Sequence, residues 1–315
     1  MKLAPQKEHF KNEIVGAEEF RHVRAMTRRQ ILLALLPPLF FGTGFTIAKP
    51  AVTHFPPLFM MLMVYTGIAV VLSMTHRERL KTPWAAIVVI AAFAVTIQGA
   101  FLFWGLRSVP ATVANLVLQL QIPIAIVLDW LIMKERLDAR KIAGTALSTA
   151  GVAIVIGLPE VPPPLVPTAF IMLSALFWAL GQVLARKWSR DTGVGILKAN
   201  ALGGVPQLAL ATLVIERGQV ESLTSAGPLE WAALAFVGIV GFYLAYICWY
   251  SLLKQCRMDD AAPFILLMPV VGIITAFFVL GESISPAQML GGAVILLGLA
   301  IVSGIGPFQR EERPR

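Results

Sequence analysis

Ser174, Trp178 and Gln182 recur at every fourth residue, the spacing that stacks side chains along one face of a helix. Asn115 and Gln119 keep the same interval, with Pro123 one turn further on. Asn200, Gly203, Gly204 and Gln207 also share a helical face, and Tyr243 and Tyr246 lie about a turn apart, close to Trp249. Gln98, Tyr65, Thr43 and Thr46 add single polar groups, the threonines beside Gly42 and Gly44. Amides and hydroxyls of this kind can hold both the carboxylate and the ammonium of a zwitterion. Indole and phenol rings add stacking or cation–π contact with a variable side chain. A phosphorylated dianion would instead call for deep Lys or Arg.

Covalent and redox chemistry have no comparable support. His9, His22, His54 and His76 are scattered, and Cys248 and Cys256 make neither a metal-ligand spacing nor a disulfide framework. No Ser/His/Asp set and no Gly-rich phosphate loop is present. The expectation is a chain that is not an enzyme and uses no metal and no cofactor.

The polar residues sit in long apolar runs. Hydrophobic residues make up 57% of the 315 and charged ones 14%, against roughly a quarter charged in an average soluble domain. Too little charge is present to cover a water-facing surface. Crossing the hydrocarbon of a bilayer takes about 20 apolar residues. Ten such runs are read at 31–48, 56–74, 84–106, 109–133, 142–158, 166–185, 194–215, 229–253, 261–280 and 287–305. Residues 1–30 and 307–315 read as polar tails, the first with no short apolar core and cleavage site of a signal peptide. With the N-terminus inside, every one of the 26 Lys and Arg residues falls in an inside segment except Lys49, Arg107 and Arg217. That is the bias of the positive-inside rule, and it puts both termini in the cytoplasm. It also accounts for the net charge of +8 with no nucleic acid as partner. The expected partners are the lipid bilayer and a small-molecule substrate; the sequence leaves the oligomeric state open.

Glu135, Gly144, Ala146, Gly151, Ala153, Val155 and Gly157 are matched, at one constant separation, by Glu282, Gly291, Ala293, Gly298, Ala300, Val302 and Gly304. More faintly, Leu39, Phe40, Gly44 and Ala48 return as Leu176, Phe177, Gly181 and Ala185. The mismatches inform as much: Lys134, Arg136, Arg140 and Lys141 become Gly281, Ser283, Ala287 and Gln288. Five spans per half turn the second copy over, so its turn faces outside and has lost its positive charge. The expected domains are a first five-helix repeat over 31–158 and a second, inverted one over 166–306. Inverted repeats with a site at their interface are the build of alternating-access carriers.

Two five-helix units, each with a Glu-led turn into a Gly-x6-Gly helix, resemble the EamA-type families of the drug/metabolite transporter superfamily, over roughly residues 31–306. The resemblance implies a bacterial inner-membrane exporter of metabolites, often amino acids, and is nearest to the amino-acid exporter group. A multidrug or nucleoside exporter of the same fold stays open beside it. From another class, so does a membrane sensor or scaffold that moves no solute.

Each candidate residue also has a plainer role. Asn and Gln tie membrane helices together, Thr43 and Thr46 can bond their own backbone, and Trp104 and Trp249 suit an interfacial belt. The repeated glycines suit close packing, and Glu135 and Glu282 suit the positive ends of helix dipoles. Yet six spans, the first, third, fourth, sixth, seventh and eighth, each place such a group near mid-depth, which helix glue does not require. The polar and aromatic side chains at these depths, with Tyr65 of the second span, are therefore read as substrate-binding. No span carries a charge at its centre. Asp129 stands near the inner end of the fourth, within reach of water or Lys134, and Lys198 near the start of the seventh. Intramembrane charge marks proton coupling when it is present, so uncoupled transport is expected. Pro37, Pro38, Pro123, Pro206 and Pro269 are candidate flex points.

Overall fold

The computed structural model describes residues 27–134, 139–158, 162–191, 193–253, 255 and 264–303. Residues 1–26 and 304–315, Glu135, Cys256 and the turn around Arg257 and Met258 lie outside the described residues. Those described are helical, with no strand among them. In chain order the helices are α1 (Arg28–His54), α2 (Pro57–Thr75), α3 (Trp84–Ser108) and α4 (Ala111–Met133). They continue with α5 (Ala139–Gly157), α6 (Leu165–Trp188), α7 (Val194–Ile215), α8 (Pro228–Trp249), α9 (Leu267–Leu280) and α10 (Pro286–Ser303). A short helix, Gln219–Ser225, joins α7 to α8.

Helices α1 to α8 are each long and apolar enough to cross a membrane. Of the last two, expected at 261–280 and 287–305, the described residues give α9 14 residues and α10 18. Pro269 sits in the first turn of α9, where its missing N–H costs nothing, and Gly281 stops that helix in the left-handed region.

Apolar side chains are distributed as a lipid solvent requires. Large ones such as Leu210, Leu213, Val214, Phe277, Phe278 and Val279 face outward, while the interior is rich in small residues such as Ala48, Ala51, Ala114, Ala175 and Ala201. Where lipid tails are as apolar as the helices, burying Leu against Leu drives little association; close backbone approach does more. The α5–α10 contact is of this kind. A methyl group on Gly144 would lie 2.6 Å from the Gly298 carbonyl oxygen, and one on Gly291 would lie 2.8 Å from that of Gly151. Since 144 meets 298 and 151 meets 291, the two helices run antiparallel. Each contact is the other with its partners exchanged.

The same exchange recurs through the bundle. Helix α1 packs on α8 and α9, and α6 packs on α3 and α4. Helices α3 and α8 each contain a wide π-helical stretch, Ala92–Ile97 and Val237–Leu244. Gly181 of α6 approaches Ala94 in the first, and Gly44 of α1 lies against Gly241 in the second. Lys134 and Gly281, which end α4 and α9, are both left-handed, at φ 59° and φ 67°.

Candidate functional site

The charged residues at the helix ends are bound to the ends of other helices. At one end of the bundle, Glu282 accepts from the N–H groups of Ala111 (2.7 Å) and Thr112 (2.8 Å) and from the Thr112 hydroxyl (3.0 Å). It thus caps α4, whose first N–H groups have no partner within their own helix. The plainer reading placed Glu282 at the start of its own helix; it serves another helix instead. Lys49 Nζ bonds Glu282 Oε1 and the Val109 carbonyl oxygen, both at 3.0 Å. Burial alone would push the Glu282 carboxyl up, but the Thr112 and Ala111 N–H donors and Lys49 outweigh it and hold it below the usual range. At the same end Glu216 accepts from the N–H groups of Leu58 and Phe59 at the start of α2. Arg107 donates to the carbonyls of Val52 and Phe55 at the end of α1.

At the opposite end Asp129 pairs with Arg186 at 3.0 Å, not with Lys134 as its place in the chain suggested. Lys134 ends α4 in a left-handed turn, whereas Arg186 stands on α6, which packs along α4. Lys198 Nζ donates to the carbonyls of His76 and Glu78. Asp191 accepts from the Thr82 hydroxyl and the N–H groups of Lys81 and Thr82. Burial would raise its pKa, yet those donors and the Lys81 charge draw it below the usual range.

Between the two ends lie the neutral residues, and the structure sorts them. Trp178 of α6 and Tyr246 of α8 lie side by side, and Phe41 of α1 meets Tyr246 edge-on at 5.0 Å. Three helices therefore converge on one aromatic cluster. One turn along the Trp178 face, Ser174 accepts from Gln98 Nε2 at 3.3 Å, joining α6 to α3. Phe177 stacks on Phe93 and Phe101. Gln182 and Tyr243 are half-buried, and their amide and hydroxyl make no hydrogen bond among the described residues.

Other expected members are occupied in holding helices together. Thr43 donates to its own helix at Leu39. Gln207 accepts from Thr96 and donates to the Val88 carbonyl, serving the π-helical stretch of α3; its face packs on α3, with Gly203 against Ile87 and Ala91. Asn200 lies half-buried on the same helix. Asn115 donates to Thr46 and to Ala111, Gln119 donates to the Asn115 carbonyl, and Thr46 donates to Gly272 of α9 rather than to its own helix. Asn115 Oδ1 is buried with no hydrogen-bond partner among the described residues. Tyr65 is buried against Phe242. Phe41 and the Phe93–Phe177–Phe101 stack were missed, since a lone Phe in an apolar run gives no sequence signal.

A helical bundle with lipid-facing apolar sides, charges confined to its ends and a neutral aromatic middle defines a multi-pass membrane protein of the transporter kind. The chain belongs to the EamA-like transporter family, whose model matches residues 28–157 and again 167–304, and so to the drug/metabolite transporter superfamily. It is 29% identical to a "Probable amino-acid metabolite efflux pump" of Salmonella typhimurium, over 88% of this chain and 95% of that protein. The identity to the protein of the same name from Escherichia coli is also 29%, with the same coverage. "Protein PecM" of Dickeya dadantii is 25% identical over 89% of this chain and 94% of its own length. A crystal structure with 19% sequence identity superposes with a TM-score of 0.61, covering 88% of this chain and 96% of the other, a likeness of fold.

Proposed function

We propose that this protein exports amino acids or similar small metabolites across a bacterial inner membrane by alternating access. On this reading all ten helices span the membrane as two inverted five-helix halves, both termini are cytoplasmic, and the Glu282 end faces outside. The crossed glycine contacts of α5 and α10 support the inversion, because a two-fold axis in the membrane plane exchanges antiparallel partners in this way. The relatives named as efflux pumps support the direction and the class of solute.

The observation that carries the reading is the Trp178–Tyr246–Phe41 cluster, in which α6, α8 and α1 meet at a neutral aromatic face between two charged ends. A zwitterion bound there would use Gln182 and Tyr243 for its charged groups and the rings for its side chain. The charged side chains Lys49, Arg107, Asp129, Lys198 and Glu216 are already engaged at helix ends, which favours movement down the substrate's own gradient over proton exchange. Flux through proteoliposomes against a panel of amino acids and other metabolites tests the reading. Trp178→Ala with Gln182→Ala should cut flux at least about ten-fold at near-normal membrane expression. An expressed double variant with unaltered rate and selectivity would return that face to packing. Uphill accumulation driven by a pH gradient and abolished by Asp129→Asn would overturn uncoupled transport.

A further inference from the structure

We infer that Lys49 and Glu282 are the outer gate of the transport pathway: their ion pair, with the hold of Glu282 on the start of α4, shuts the outside and must part for the solute to leave. This rests on the export reading. The knot joins three elements, the end of α1, the start of α4 and the turn between α9 and α10. Two of them belong to the first half of the chain and one to the second, so a movement that parts the halves at this end must break it.

The pair is more than a surface bridge, with the Lys49 side chain 23% exposed and that of Glu282 12%. Directly beneath, the same three elements close on one another again. Thr46 bonds Gly272, Asn115 bonds Thr46, and Gly42 lies against Met268 and Gly272. Ala48, Ala51, Ala111 and Ala114 fill the layer without exposed surface. Along α1 these layers lie between Phe41, which meets the Trp178 cluster, and the Glu282 end. The buried, unpartnered Asn115 Oδ1 makes the inner of the two layers a costly one to keep closed, as an element that opens in each cycle should be.

The mirror position sharpens the assignment. Arg186 follows Ala185 as Lys49 follows Ala48, at the other end of the bundle. It pairs with Asp129 with 49% of its side chain exposed.

The test uses Ser174→Cys as reporter, on the outer side of Trp178, in the full chain with Cys248→Ser and Cys256→Ser. In right-side-out vesicles an impermeant maleimide should label the reporter about five-fold faster when Glu282 is replaced by Gln, while labelling in inside-out vesicles does not rise. A second variant, Lys49→Cys with Glu282→Cys, should lose flux on oxidation to the disulfide and regain it on reduction. Unchanged outside labelling without Glu282, or full flux through the cross-linked protein, would overturn the gate and leave the export reading standing. Were no solute in the panel carried even by the unaltered protein, the export reading would fail, and the labelling comparison would still decide whether this pair closes the outer end.

Discussion

Lys49 and Arg186 occupy corresponding places in the two halves, and the ends they hold are built differently. Lys49 is drawn into a knot with the Val109 carbonyl and a carboxylate that caps α4. Arg186 meets Asp129 across the rim of α4 and α6, with half its side chain in the open. Between them the bundle is close to self-similar: crossed glycines, paired π-helical stretches and left-handed ends on α4 and α9. The described partners of Lys49 and Arg186 differ, Glu282 and the Val109 carbonyl against Asp129, while the middle of the bundle repeats itself. On the proposed alternating access, the packing of α5 on α10 would serve both states alike and the end clips would tell them apart.

Three measurements can break or sharpen that contrast. The largest effect is expected at the shared middle. Gly144→Leu and Gly291→Leu should each cost about 3 kcal/mol or more, since the added side chain meets backbone that has no room to give. The readout is the yield of folded, monodisperse protein in detergent. Tolerance of one and not the other would mean that the two contacts are not equivalents.

The next effect compares the ends directly. Glu282→Ala leaves Lys49 and two helix-start N–H groups without their partner and should lower stability by about 2–3 kcal/mol. Asp129→Ala, at a more open pair, should cost less than about 1 kcal/mol. Thermal unfolding of both variants ranks them, and equal losses would erase the contrast. The pH dependence has a definite sign. Because the folded Glu282 carboxyl lies below its ordinary value of 4.5, its contribution is complete above that pH and disappears as the pH falls through the lower folded value. The gap in unfolding midpoint between the unaltered protein and Glu282→Gln should therefore stay level from about pH 8 to 5 and close only in stronger acid.

The mildest change is a single cysteine. In a background lacking Cys248 and Cys256, Ser283→Cys should react with an impermeant thiol reagent outside intact cells, and Ala139→Cys should not. Identical behaviour would contradict the inversion of the halves.

Eight of the ten expected spans were legible in the sequence because a helix that must satisfy its backbone in lipid advertises itself by length and composition. The close-packing role of Gly144, Gly151, Gly291 and Gly298 was legible for a related reason: helices that approach this closely leave no room for a side chain. What stayed hidden lies in pairings across the chain. Nothing near Glu282 announces that its carboxylate caps a helix starting at Ala111, nor that Asp129 would choose Arg186 over Lys134. The π-helical stretches carry no residue signature, and they rotate every side chain beyond them, so a simple helical count across Ala92–Ile97 or Val237–Leu244 misplaces the following faces. Gln207 of α7 was hidden for another reason: its amide reads as a free polar group but is spent on Thr96 and Val88 of α3. Trp178 was legible as a member of a polar face, whereas its partner across the bundle was not.

Lys134 is the one non-glycine among the described residues with a positive φ, and Gly281 shows what the same turn holds when charge is not at stake. A side chain in that conformation costs about 1 kcal/mol relative to glycine, every moment the protein is folded. In the proposed orientation the lysine lies on the cytoplasmic side, where basic residues fix which way a nascent hairpin threads during insertion. That decision is taken once, before α4 has met α6 or α9. On that orientation the folded protein would carry a permanent backbone penalty at Lys134 for a charge whose work is done during insertion.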